Sequence, residues 1–188
     1  MTTQQVIRNL AAWLEEQTAA LEYKRASEFS EIQAEGYKYK LTRPAIYEVQ
    51  LPINAAEHIE GAEPAPITAP AVIVTSGGET TLNTATGEIT STILLKIHTW
   101  NPGQHSTDEN GEGAFIVDGE GWRDCLSLMD AIAKRLAEAE FPAGCNLTGD
   151  IICTYPDGDE NPYYPYYIGS IQFDIQHYRT LKNNKFNI

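Results

Sequence analysis

The stretch Gly119–Ala139, GEGWRDCLSLMDAIAKRLAEA, constrains the fold of this chain more than any other. Trp122, Cys125, Leu126, Met129, Ile132, Ala133 and Leu136 recur at steps of three and four, which places them on one stripe of an α-helix. Arg123, Asp124, Ser127, Asp130, Lys134 and Glu138 fall mostly on the other side. Asp118 or Glu120 caps or charges the start, and Phe141-Pro142-Ala143-Gly144 stops the helix. Such a helix needs an apolar surface to cover, and the segments around it read as strands. The stripe, Leu126 and Ile132 included, is therefore expected to lie buried on a sheet.

In chain order, Gln4–Lys24 reads as a first amphipathic helix, with Val6, Leu10, Trp13, Leu14, Ala20 and Leu21 on one side. Arg25–Arg43 is ambiguous: Phe29 and Ile32 continue a helical pattern, while Tyr37 and Tyr39 alternate with lysines as in an exposed strand. Ala45–Leu51 is a strand bracketed by Pro44 and Pro52. Asn54–Pro70, with its acids and with Pro64, Pro66 and Pro70, reads as an exposed insertion loop. Ala71–Thr75 (AVIVT) is a continuous apolar run and predicts a central strand buried on both faces. Ser76–Gly87 is turn-rich, with Gly87 able to close a hairpin.

Glu88–Trp100 is the longest strand, with Ile89, Ser91, Ile93, Leu95, Ile97 and Thr99 on one face and a wetter set opposite. Asn101–Val117 is a Gly- and acid-rich loop into the central helix. Asn146–Cys153 is a strand interrupted near Gly149, Thr154–Pro165 is a loop, and Tyr166–Tyr178 is the final strand. Helix, three strands, long helix and two strands predict an α+β fold. Its sheet is a mostly antiparallel one of about five strands, with two helices packed on one face. The 188 residues are expected to form a single domain. Insertions are expected at 22–43 and 54–69, and a flexible tail at 179–188.

A formal charge of −13 argues against nucleic-acid affinity through a broad basic face. The tail Arg179–Ile188 carries Arg179, Lys182 and Lys185 and no acid. No run approaches the ~18 apolar residues of a membrane span, and the polar N-terminal stretch predicts no secretory leader. Cys125, Cys145 and Cys153 form no CxxC; Cys125 and Cys153 read as small buried hydrophobes.

Candidate chemistry is sparse. From Asp108 the loop resembles an EF-hand, with Asn110, Glu112 and Gly113 in register, but Gly119 stands where the bidentate Glu belongs. Asp157, Asp159, Glu160 and Asn161 form a second acidic cluster, followed by Pro162 where the tight Gly turn of a metal loop is needed. His58, His98, His105 and His177 are scattered. His98 and His177 lie on strands and are placed to meet across the sheet, near Asp174 or Glu48. No catalytic site, metal or cofactor is expected. Tyr163-Tyr164-Pro165-Tyr166-Tyr167 is the most unusual local feature: tyrosines are semi-rigid anchors with polar tips, enriched where proteins meet. The competing reading is rings that cover the edge of the core.

In order and texture the sequence resembles the tail terminator (tail completion) proteins of long-tailed bacteriophages and prophages. The likeness is carried by Pro44–Ile53 (PAIYEVQLPI), Pro70–Glu79 (PAVIVTSGGE), Ser91–Asn101 (STILLKIHTWN), Gly121–Glu138 and Asn161–Ile175 (NPYYPYYIGSIQFDI). In that family the helix often opens with a Gly-x-Arg-Asp-like turn, here Gly121–Asp124, and the last strand follows a Tyr-Pro-Tyr-Tyr segment, here Tyr164–Tyr167. The resemblance implies a structural virion protein of tail and neck, assembled in the host cytoplasm. It implies a ring of identical copies, commonly a hexamer, that caps the tail tube, ends its polymerisation and joins the head–tail connector or head completion protein. DNA would be cargo through the lumen, and no membrane would be involved. Thr80, Thr81, Leu82, Asn83, Trp100, Asp108, Glu109, Glu112, Tyr163, Tyr164 and Tyr166 are the candidate assembly surface, on segments that project from strand ends. The alternatives are another neck or tail-tube component and, from a different class, a small-ligand-binding or hydrolytic α+β domain.

Overall fold

The computed structural model describes residues 1–24, 41–49, 69–107, 113–116, 119–138, 145–156 and 163–178. Helix α1 (Thr3–Thr18) is followed by strands β1 (Tyr23–Lys24), β2 (Leu41–Thr42), β3 (Ala45–Glu48), β4 (Ala71–Leu82) and β5 (Glu88–Trp100). Strands β6 (Gln104–Thr107) and β7 (Gly113–Ile116), helix α2 (Glu120–Glu138), and strands β8 (Cys145–Thr154) and β9 (Tyr166–Tyr178) complete the chain. Five strands form one sheet in the order β3-β4-β5-β9-β8; β1–β2 and β6–β7 are separate two-stranded ribbons. Within the large sheet β3 runs parallel to β4, and the other three pairings are antiparallel. The fold is α+β with a mixed sheet, as the element order predicts, and the parallel pair at one edge is the departure from strict antiparallel order.

Alternation builds the core. Val72 and Val74 of β4 stand opposite Ile97 and Leu95 of β5, and Leu95 and Ile93 stand opposite Ile171 and Phe173 of β9. These residues share one face and join Val6, Leu10 and Leu14 of α1 and Cys125, Leu128, Met129, Ile132 and Leu136 of α2 in a single buried cluster. Helix α1 covers β3 and β4, while α2 lies over β9, β5 and β8. α1 starts at a capping box in which Thr2 and Gln5 satisfy each other's backbone N–H groups. It ends at Thr18, short of the expected Lys24, because Tyr23 and Lys24 leave to pair with Leu41 and Thr42.

The buried stripe of α2 is rotated from the expected one. Leu128 is fully buried, whereas Leu126 and Ala133 are only half-buried and Trp122 is 37% exposed. Gly121 explains the rotation: a Cβ there would land on the Tyr167 ring, so the helix backbone rests directly on the first helix-facing aromatic of β9. Gly121→Ala is therefore expected to destabilise by about 1–3 kcal/mol, the usual cost of overpacking. Urea unfolding checks it, with an unchanged midpoint counting against this contact.

The stretch Ser76–Gly87 is mostly strand, contrary to its turn-rich reading. β4 continues to Leu82 through a register shift between Ser76 and Thr80. Gly78, at φ 101°, supplies the conformation that this bulge needs. The turn is confined to Asn83–Gly87, where the Asn83 side chain accepts from the N–H groups of Ala85 (3.0 Å) and Thr86 (3.2 Å). At the sheet edge the strand expected over Ala45–Leu51 ends at Glu48, since Val49 turns out of the strand at φ 71°; residues 50 and 51 lie outside the described residues. The Asn101–Val117 segment, expected as a loop, contains the β6–β7 ribbon. The expected insertions fall largely outside the described residues, as do 25–40 and the tail 179–188; of Asn54–Pro70 only Ala69 and Pro70 are described, and both are buried.

Candidate functional site

The predicted surface residues separate into two groups at opposite ends of the sheet. Trp100 stands opposite Tyr166 where β5 ends and β9 begins. Thr80 stands opposite Ser91 and Leu82 opposite Ile89 at the other end. The 11 residue steps from Ile89 to Trp100 separate the ends by about 36 Å at strand rise. Asp108, Glu109 and Glu112 lie outside the described residues, as does the acidic cluster at 157–161.

The tyrosine end is held from beneath by Asn101, which is 1% exposed. Its Oδ1 accepts from Lys24 Nζ (2.9 Å) and from the Gly103 N–H (3.0 Å), and its Nδ2 donates to Asp124 Oδ2 (2.9 Å). Its own backbone N–H donates to the Pro165 carbonyl (3.0 Å), and Tyr164 Oη donates to the Pro102 carbonyl (2.7 Å). One buried amide thus joins β1, the segment after β5, the first turn of α2 and the tyrosine turn.

On this support the aromatics reach solvent. Tyr163 is 62% exposed and Tyr164 and Tyr166 a little over a third. Trp122 and Tyr155 join them from the start of α2 and the end of β8. Trp122 Nε1 donates to the Pro156 carbonyl (3.1 Å) and Tyr155 Oη donates to Asp130 Oδ1 (3.1 Å). That acceptor holds the Tyr155 hydroxyl above its ordinary pKa. Trp122, Tyr155 and Tyr164, flat rings with apolar faces and tethered polar tips, make a preorganised contact surface. Spacing alone places Trp122 in the core, and Tyr155 and Asn101 carry no sequence signal of a shared site; only the fold brings them together.

The hairpin end is different in chemistry. Thr80, Thr81 and Asn83 are exposed, and Leu82 is the large apolar side chain among them, 44% exposed. This end offers hydroxyls and amides where the other offers rings.

The two strand histidines do not meet. His98 stands opposite Ile168 near the tyrosine end on the face away from the helices, whereas His177 lies near the hairpin end on the helix-facing side. Burial, with help from Lys96, lowers the His98 pKa. Asp174 is on the face opposite His177 and accepts from Thr92 Oγ1 (2.7 Å), while Glu48 faces Arg8 at 3.8 Å. His177 instead meets Ser91, Nε2 to Oγ at 3.3 Å, with both residues fully buried and no partner on Nδ1. This is a serine–histidine contact without the orienting acid that a nucleophile relay uses.

Cys125 is fully buried, and burial pushes its thiol up to about 11; Cys153, expected to be buried, is half-buried. Among the described residues no three His, Cys, Asp or Glu side chains are grouped to hold a metal ion, and no helix is long and apolar enough to cross a membrane. No protein-family model and no curated protein matches the chain.

Proposed function

We propose that this chain is a tail terminator of a long-tailed bacteriophage or prophage. In this reading copies of it close into a ring, commonly six, on the last ring of the tail tube and present a joint to the head connector. The observation that carries the proposal is the tyrosine end: exposed aromatics from the start of α2, the segment after β8 and the entry to β9, set over a buried amide, on a chain whose element order resembles that family. Ending a polymer requires one surface that matches the growing end and another that does not repeat the match. An aromatic end and a hydroxyl-rich end about 36 Å apart suit those two tasks. A heterologous contact that closes by rotation makes the ring finite.

Charge fits the same reading. Each copy carries −13, so a ring accumulates strong negative charge. A lumen with few cations to hold phosphates lets DNA pass with little friction.

Deleting the gene from the producing phage or prophage is expected to yield tailless heads together with tubes of irregular, excess length. Complementation with Tyr163→Ser/Tyr166→Ser is expected to leave the protein folded and the defect uncorrected. Tails of normal length in the deletion would overturn the proposal.

A further inference from the structure

A second construction lies at the hairpin end and is independent of the tail-terminator reading. Ser91 Oγ is 3.1 Å from Thr3 Oγ1, 3.4 Å from Thr80 Oγ1 and 3.3 Å from His177 Nε2. One hydroxyl therefore joins the first turn of α1, the outer arm of β4, β5 and β9. His177 is fully buried, and its Nδ1 has no hydrogen-bond partner. The titratable groups facing it are the Met1 ammonium, which donates to the Tyr178 carbonyl at 2.7 Å, and the Cys145 thiol directly opposite on β8. α1, β4 and β5 contribute Thr3, Thr80 and Ser91, none of them charged. Asp174 lies on the far face, and so does Glu88, opposite Tyr178.

We infer that the Ser91–His177 contact is an acid-sensitive latch: a proton added to His177 releases the first turn of α1 and the outer arm of β4 from the β5–β9 pair while α2 stays packed.

The neutral ring needs only one donor and one acceptor role, and Ser91 meets the nitrogen that faces it. The protonated ring is a donor at both nitrogens. Its Nδ1–H would then be a buried charged donor beside an ammonium, a cost that the nearby Met1 backbone offsets only in part. Burial first, and the Met1 ammonium second, hold the His177 pKa below its ordinary value against the smaller opposing pull of the Met1 backbone. The unfolded or locally opened ring titrates near ~6.5. Full stability is thus kept above that pH and is lost as pH falls from there towards the lowered pKa of the closed form. Opening only the segments tied to Ser91 relieves the charge at less cost than unfolding the core, so local release is preferred.

The test is site-resolved amide exchange on the whole chain between pH 7.5 and 5.5, where most carboxylates remain ionised, with the His177 ring followed by NMR. After correction for intrinsic rates, protection in the first turn of α1 and in Thr80–Leu82 is expected to fall about tenfold. Protection around Leu128–Ile132 is expected to hold, and the local loss should set in near the ordinary histidine pKa, with the His177 ring of the closed form titrating at lower pH. His177→Gln is expected to flatten the pH dependence; if that variant does not fold, a His177 ring in the native chain that titrates below the onset of the loss supports the latch, and one that titrates at its ordinary value overturns it. Protection unchanged at both segments, falling equally in α2, or falling just as far in a folded His177→Gln would overturn the latch.

Discussion

Leu128→Ala and Ile132→Ala are each expected to cost about 2–5 kcal/mol, because each leaves a cavity where α2 meets the sheet. Both side chains are 0% exposed and sit in the cluster formed with Leu95, Ile171 and Phe173. Leu126→Ala is expected to cost clearly less, since Leu126 is only half-buried and the surface beside it collapses or hydrates with little penalty. Denaturant unfolding of the three variants measures the order directly. Leu126→Ala as damaging as Leu128→Ala would mean that the helix sits in the orientation its sequence spacing first suggests, with Trp122 inward.

The second large effect belongs to Asn101. Asn101→Ala removes two acceptor contacts and one donor contact from a site that is 1% exposed. Lys24 and Asp124 can turn towards water, but the Gly103 N–H stays where the amide held it. A loss of about 2–4 kcal/mol is expected for unmaking buried bonds to two charged groups and one backbone donor. The damage should be local in kind: the tyrosine turn loses its support while the packing of α1 against β3 and β4 is untouched. Chemical-shift changes confined to Lys24, 99–103, the start of α2 and 163–167 would show this, and changes spread evenly across the sheet would contradict it.

What was legible in the sequence and what was not divide along a physical line. The strands Glu88–Trp100 and Tyr166–Tyr178 were readable to the residue because alternation persists over 13 positions in each, with one face buried. Helix α2 matched its expected bounds to within a residue at each end for the same reason: one period dominates a long window. The stripe's exact orientation was not readable. Trp122 is the largest apolar residue near that stripe and drew its centre sideways, but its indole N–H needs a partner and finds the Pro156 carbonyl at the surface.

Gly77-Gly78 carried the composition of a turn, and only the pairing of β4 with β5 reveals a bulge. The polar sites were the least legible. Asn101 follows a strand as any loop residue does, and its partners lie 77 and 23 positions away. Ser91 and His177 are 86 apart. Periodicity reports which face a residue takes, and says nothing of which distant polar atom it meets there.

The role proposed for the chain is the ending of a tail tube. Electron microscopy of purified tails carrying an affinity-labelled copy of this protein tests it most directly. Label is expected at one end of each tube, the end that joins the head, in the amount of a single ring. Label spread along the tube, at the opposite tip or on the capsid shell, or tails with no label at all, would contradict it.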